Sequence, residues 1–219
     1  MTDEVLAEQA RYYRRRAHEY DATSYGDVVA ARARIVRLVG DMQPTGTILE
    51  IACGTGVWTQ ALADAADTLI AIDAAPEVIA IARDRVMASN VRFEVADIFS
   101  WKTPQRFDVI FFSAWLSHVP MNRFDEFWQM LRDLLAERGR VLFVDEPIEL
   151  RDKETYLSDS DEIVQRQLRH GTTFHLVKNF IDPDVLAHRL RGLGWDCRTW
   201  RDDDGDWTWI CGEAQPMTE

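Results

Sequence analysis

The chain has few cysteines and no long apolar run, and these two absences limit its class. Its cysteines, Cys53, Cys197 and Cys211, are too few and too scattered for a disulfide scaffold or a zinc site. No run approaches the roughly 18 apolar residues that a transmembrane helix needs. The first residues, MTDEVLAEQARYYRRR, contain no apolar signal core. We therefore expect a cytoplasmic chain with no membrane as a partner.

Basic residues are also scarce, with 25 Lys and Arg against 37 Asp and Glu, which gives a net charge of −12. Enzymes that act on nucleic acids usually present a basic face, so neither DNA nor RNA is an expected partner. The 219 residues, 47% of them hydrophobic, suffice for one domain with a sizeable core. The sequence does not determine the assembly, and a homodimer is left open.

The most informative segment reads TILEIACGTGVWTQ, from Thr47 to Gln60. An apolar strand pattern ends in a turn of small residues, and a helical pattern follows at once. Gly54 and Gly56 can adopt positive φ, and small side chains let a ligand approach the backbone. The start of the helix offers N–H groups to a carboxylate or a phosphate. The segment therefore predicts a strand, turn and helix that receive a nucleotide-like ligand.

Acidic residues stand at or near the ends of three successive predicted strands. Glu50 lies just before the small-residue turn, Asp73 ends the second strand and Asp97 follows the third. Asp73 follows the turn at close to the spacing of about 20 residues at which an acid meets ribose hydroxyls. The alternative, in so acidic a chain, is that Asp73 and Asp97 are solvated acids in loops. The repetition at three strand ends favours a binding site.

The pattern Glu50-x-Ala52-x-Gly54-x-Gly56 resembles the first motif of class I S-adenosylmethionine (SAM) methyltransferases, with alanine where many members have glycine. A dinucleotide-binding G-x-G-x-x-G turn is the competing interpretation, but Thr59 replaces its third glycine. The resemblance covers about residues 45–146. It implies SAM as the cofactor and an adenine contact at Asp97, whose neighbour packs on the ring. The cofactor-binding residues that we expect are Glu50, Ala52, Gly54, Gly56, Asp73, Ala74, Asp97, Ile98 and Ser113.

The remaining pattern predicts an α/β fold. Strands near 47–52, 68–73, 91–95, 107–112 and 139–145 alternate with helices near 56–66, 76–87 and 123–136, which implies a parallel sheet with right-handed crossovers. Two more strands flank a turn signal, Asp202 to Gly205. The resemblance implies a doubly wound, mostly parallel sheet of seven strands in the order 3-2-1-4-5-7-6, with a C-terminal antiparallel hairpin.

Residues 1–40 are predicted to form a helical lid. An apolar stripe at helical spacing includes Tyr13 and Tyr20. In similar enzymes this helix folds over the cofactor, so Tyr13 and Arg16 could contact the methionine carboxylate, arginine through a charge-assisted pair. The alternative is a helix whose tyrosines pack and whose arginines are solvated. Both interpretations stay open, within a single domain spanning 1–219.

His118 is the candidate catalytic residue. It lies on the loop after the fourth strand, where the resemblance places the acceptor, and a histidine can take up a proton near neutral pH. The alternative is a histidine that only hydrogen-bonds the loop. Asp145 and Glu146 end the fifth strand, and a polar insert at 148–178 could cover the substrate or be a solvated surface.

The expected function is methyl transfer from SAM to an oxygen, nitrogen or carbon atom of a small molecule, and aromatic or amphipathic metabolites are the expected classes. The cofactor brings its own activated methyl group, so no metal site and no catalytic triad are expected. Two alternatives remain at this stage: a SAM-binding regulator without turnover, and an NAD or nucleotide-sugar enzyme on a similar sheet.

Overall fold

The computed structural model describes residues 3–157, 160–204 and 207–218. The α-helices are α1 (Asp3–Arg16), α2 (Tyr20–Ser24), α3 (Val28–Met42), α4 (Val57–Ala65), α5 (Pro76–Arg85), α6 (Phe124–Leu134) and α7 (Pro183–Gly192). The strands are β1 (Thr47–Ile51), β2 (Thr68–Asp73), β3 (Val91–Val95), β4 (Phe107–Ser113), β5 (Leu135–Asp145), β6 (Ile163–Gln167), β7 (Thr173–Val177), β8 (Trp195–Asp204) and β9 (Trp207–Pro216).

Seven of these strands form one sheet in the order β3-β2-β1-β4-β5-β9-β8. Counted along the chain within that sheet, this is the predicted order 3-2-1-4-5-7-6, which is confirmed. Strand β2 pairs in parallel with β1 and β3, whereas β9 pairs antiparallel with β5 and β8. Gly205 of the predicted hairpin turn lies outside the described residues.

The described residues divide into two compact units. The N-terminal unit contains Ala10–Phe111 and Leu135–Gly139. Its central strands β1 and β2 are apolar along almost their whole length and are buried, as expected for parallel strands covered on both faces. Helix α4 follows β1 directly, so the small-residue turn is fixed at both ends by buried elements.

The C-terminal unit contains Met1–Gln9, Phe112–Leu134 and Arg140–Glu219. Its core is aromatic. The rings of Trp128 and Trp195 pack edge to face with their centroids 5.1 Å apart, and those of Phe112 and Phe143 stack with their centroids 5.8 Å apart. The apolar residues of α6 that share a face in the sequence, including Trp128, are buried. This core supports the ends of β4 and β5.

The insert at 148–178 holds a 3-10 helix, Ile148–Lys153, and a separate two-stranded antiparallel sheet of β6 and β7. Whether it covers a substrate stays a prediction, as does the lid function of the helices near the N-terminus. None of the helices within the described ranges is long and apolar enough to cross a membrane.

Candidate cofactor turn and acceptor-side loop

The turn after β1 is built from residues in the left-handed region of backbone space. Ala52, Gly54 and Gly56 have φ values of 54°, 55° and 78°. Glycine adopts this conformation without a Cβ clash, so Ala52 holds it at a steric cost. The turn is held by Cys53, whose N–H donates to the Ile72 carbonyl at 3.0 Å.

Gly54 and Gly56 have different surroundings. A Cβ on Gly56 would lie 3.0 Å from the Cβ of Ala82 in α5, so glycine there permits close helix packing. A Cβ on Gly54 would meet nothing within 4 Å. The turn is therefore packed on one side and open at Gly54, where a ligand can approach the backbone.

Asp73 ends β2, and its carboxylate lies against this turn. Its two oxygens accept hydrogen bonds from the N–H groups of Gly54, at 3.0 Å, and Ala75, at 2.8 Å. Burial raises the pKa of Asp73 to about 6, and the two N–H groups lower it in part. Each carboxylate oxygen can accept a second hydrogen bond, so the group can still bind hydroxyls.

Glu50 is a buried acid whose hydrogen bonding is incomplete within the described residues. Its side chain is 2% exposed, and its Oε2 atom has no hydrogen-bond partner there. Burial raises the pKa of Glu50 to about 8, and the charge of Asp73 adds to this effect. The Thr59 hydroxyl lowers it, although the two groups do not meet hydrogen-bond geometry. A buried carboxylate of this kind fits a ligand that brings a positive charge or a donor.

The third strand end is more exposed. The Asp97 carboxylate accepts from the N–H of Phe99 at 3.1 Å, and its side chain is exposed, as is that of Ala74. Ile98 is buried. Asp97 is thus accessible to an adenine amino group, and this role stays a prediction.

Arg16 and Tyr13 lie among aromatic residues of the N-terminal helices. The Arg16 guanidinium lies over the ring of Tyr20 at 4.9 Å and donates to Thr23 Oγ1 at 2.8 Å. Tyr13 meets the Tyr12 ring edge to face at 5.1 Å. Both side chains are held locally, and their predicted contact with a carboxylate stays a prediction.

On the acceptor side, His118 ends a 3-10 helix, Leu116–His118, and is 4% exposed. Its Nδ1 atom lies 2.6 Å from the carbonyl oxygen of Val177. Since a carbonyl only accepts, Nδ1 carries the hydrogen and Nε2 is the basic nitrogen. Ser113, the last residue of β4, is half-buried.

The sequence placed Lys178 only among the polar residues of the insert at 148–178, as a base that could meet the substrate, yet it organises this loop. It is 1% exposed, donates to Ser117 Oγ at 2.8 Å and forms an ion pair with Glu146. The neighbouring Asp145 accepts from the Ser117 N–H at 3.1 Å. Burial raises the pKa of Asp145, and the Lys178 charge opposes that rise. The sequence shows only that Asp145 and Glu146 lie at the end of a strand. It does not indicate that Lys178, 32 positions after Glu146, pairs with that carboxylate.

Comparison with solved structures places this fold beside known complexes. The structure of DhpI with S-adenosylhomocysteine (SAH) is 34% identical, is matched over 100% of both chains and has a TM-score of 0.84. The DhpI–SAM–HEP complex has the same identity and TM-score, over 99% of this chain and 100% of that chain.

Curated relatives match part of their length. The ubiquinone biosynthesis O-methyltransferase of Xanthomonas campestris pv. campestris is 29% identical over 75% of this chain and 65% of its own length. The malonyl-[acyl-carrier protein] O-methyltransferase of Acetivibrio thermocellus is 36% identical over 47% of this chain and 37% of its own. The chain thus spans less than two thirds of each.

A family model described as a methyltransferase domain matches residues 48–139, which contain the turn and all three acids. The residues at the turn fit SAM, because they combine open space at Gly54 with the buried carboxylate of Glu50 and the half-buried carboxylate of Asp73. The alternative of an NAD or nucleotide-sugar enzyme is set aside. The chain belongs to the class I SAM-dependent methyltransferases, and SAM is its cofactor.

Proposed function

We propose that this chain transfers the methyl group of SAM to an oxygen, nitrogen or carbon nucleophile of a small, aromatic or amphipathic metabolite. The observation that carries the proposal is the turn itself, open at Gly54 and flanked by the carboxylates of Glu50 and Asp73. When bound, SAM supplies a methyl group that a positively charged sulfur has already activated.

The residues of the turn hold the cofactor by its polar groups. Asp73 accepts hydrogen bonds from the ribose hydroxyls, and Asp97 accepts one from the adenine amino group while Ile98 packs on the ring. Glu50 offers its carboxylate to positive charge. Tyr13 and Arg16 contact the methionine carboxylate, arginine through a charge-assisted pair. The chain contributes orientation and a partly desolvated site, the two effects on which such a transfer depends.

His118 takes the proton that an oxygen or nitrogen acceptor loses. The Val177 carbonyl holds the hydrogen on Nδ1, which leaves Nε2 as the basic atom. A base aligned in this way contributes roughly 10²-fold or more to turnover. If the loop acts only by packing, the same bond would fix the ring without a chemical role.

The net charge of the chain and the names of its curated relatives both bear on the class of acceptor. A net charge of −12 disfavours polyanionic substrates such as RNA. The relatives from Xanthomonas and Acetivibrio are named O-methyltransferases, so hydroxyl and carboxyl acceptors are the first to test. The insert at 148–178 covers the acceptor in this proposal.

A screen of a metabolite library with SAM tests the proposal by mass spectrometry. We expect a mass gain of one methyl group on one class of small acceptor, with SAH released in equal amount. The Asp73→Ala variant is the control and should form less product at limiting SAM. SAM binding without turnover on any acceptor would favour a regulator, and comparable rates on tRNA or ribosomal RNA would contradict the small-molecule assignment.

A further inference from the structure

Three side chains form a closed ring around the middle residue of the cofactor turn. Thr55 stands between Gly54 and Gly56, and its hydroxyl donates to Asp21 Oδ1 at 2.6 Å. Arg85 donates to the Thr55 carbonyl at 2.7 Å and to its hydroxyl at 2.9 Å. The ring closes through an ion pair between Arg85 and the other oxygen of Asp21.

The ring joins three separate elements of the N-terminal unit. Asp21 belongs to α2, Thr55 to the turn, and Arg85 is the last residue of α5. The side chains of Asp21 and Arg85 are only 21% and 16% exposed, so solvent screens their interaction less than that of a surface pair. The contact is therefore a partly buried, charge-assisted connection from the N-terminal helices to the cofactor turn.

A second ion pair, between α1 and α5, supplies an internal comparison. Arg14 of α1 donates three hydrogen bonds of 3.0 to 3.1 Å to Glu77 of α5, but these side chains are 49% and 38% exposed. Ala17 packs nearby against Ala75. This pair docks α1 on α5 without touching the turn. A variant of it therefore tests the effect of helix docking alone, separately from the contact with Thr55.

We propose that Asp21 and Arg85 are positioning residues for the cofactor turn, acting through Thr55. The inference rests on the proposed function and names what prepares that site. Thr55 is flanked by two glycines, whose backbone has wide conformational freedom. Three hydrogen bonds to Thr55 restrict that freedom before the cofactor arrives, so less ordering remains to oppose binding.

The coupling has a reciprocal consequence. If the docked N-terminal helices order the turn, a ligand on the turn must stabilise the docked helices by the same free energy. Cofactor binding should then slow hydrogen exchange in residues 17–25. The ordering of residues 17–25 and the affinity for the cofactor should therefore both report on the contact of Asp21 and Arg85 with Thr55.

The test uses calorimetry with SAH on the full chain, with Asp21→Asn, Thr55→Val and Thr55→Ser as the variants and Glu77→Gln as the matched control. Asp21→Asn removes the charge that faces Arg85, and Thr55→Val removes the hydroxyl at constant shape. We expect each to weaken SAH binding by about tenfold, the effect of a lost hydrogen bond to a charged group. Thr55→Ser, which keeps the hydroxyl, should restore most of the affinity, and Glu77→Gln should bind as the wild type does.

Hydrogen exchange separates positioning from general stability. In the wild type and in Glu77→Gln, SAH should slow exchange in residues 17–25, and in Thr55→Val this protection should fall. If Asp21→Asn does not fold, the two Thr55 variants decide. Equal affinity of wild type and Thr55→Val would overturn the inference, and so would an equal loss in Glu77→Gln. A wild type that does not bind SAH at all would instead overturn the proposed function.

Discussion

The two units differ in how they compensate the buried and half-buried acids at or near their strand ends. In the C-terminal unit, Glu146 is paired with the ammonium group of Lys178, which also opposes the rise in the Asp145 pKa. In the N-terminal unit, burial raises the pKa values of Glu50 and Asp73 to about 8 and about 6, and within the described part of the chain no cation is a cause of either shift.

This difference separates a structural charge network from a binding site. Lys178, Ser117 and Glu146 satisfy one another, so their charges hold the loop in place. Glu50 has an oxygen without a partner among the described residues. SAM is positively charged at its sulfur and its amino group, so the cofactor itself can supply the missing cation. The N-terminal unit therefore keeps acids uncompensated where its ligand binds.

Removal of the Lys178 ammonium should have the largest effect. Lys178→Met leaves the carboxylates of Glu146 and Asp145 without their cation, and the free energy of unfolding in urea should fall by about 3–5 kcal/mol. Arg201→Met is the matched control, because Arg201 and Glu149 form an exposed pair. Its loss should stay below about 1 kcal/mol. Equal effects of the two variants would end the distinction between a structural network and a surface pair.

The His118 variants separate chemistry from packing on the same loop. His118→Asn keeps a donor close to the Nδ1 position for the Val177 carbonyl but lacks Nε2. His118→Ala lacks both. If Nε2 is the base, turnover of an identified acceptor should fall by about 10²-fold in both variants, while SAH affinity stays constant. Wild-type turnover in His118→Asn, with a loss only in His118→Ala, would reduce His118 to a packing residue.

The stability of the protein without cofactor should depend on pH through the raised pKa values of Glu50 and Asp73. The folded-state pKa values of Glu50 and Asp73 lie above their unfolded values, so folding favours the protonated forms. Their contribution to stability is fully present below about pH 4. It is lost as the pH rises through about 6 and about 8, with a slope of at most about 1.4 kcal/mol per pH unit for each proton.

Urea unfolding between pH 5 and 8 measures this slope. Glu50→Gln should flatten it relative to the wild type, and SAM should flatten it too, because a bound cation favours the ionised carboxylate. The lowered pKa of Glu77 affects only more acidic conditions, so it leaves this window unchanged. The same slope in wild type and Glu50→Gln would show that the uncompensated acid has no energetic effect.

The sequence predicted the sheet and the turn but not the side-chain networks, for physical reasons. Strand β1, the small residues and Asp73 are close in sequence or at a fixed spacing, so local pattern and backbone geometry place them together. Lys178 meets Glu146, and Asp21 meets Arg85, across long stretches of chain. No period or spacing encodes such contacts, because tertiary packing alone brings these residues together.

Calorimetric titration of SAM into the wild type and Asp73→Ala is the most direct test that the turn after β1 is the cofactor site. We expect the wild type to bind SAM and the variant to bind it about tenfold more weakly or worse, because the ribose hydroxyls lose a half-buried acceptor. Urea unfolding of Asp73→Ala should verify that the variant is folded. Equal affinity of the two proteins, or no binding of SAM to the wild type at millimolar concentration, would contradict the account.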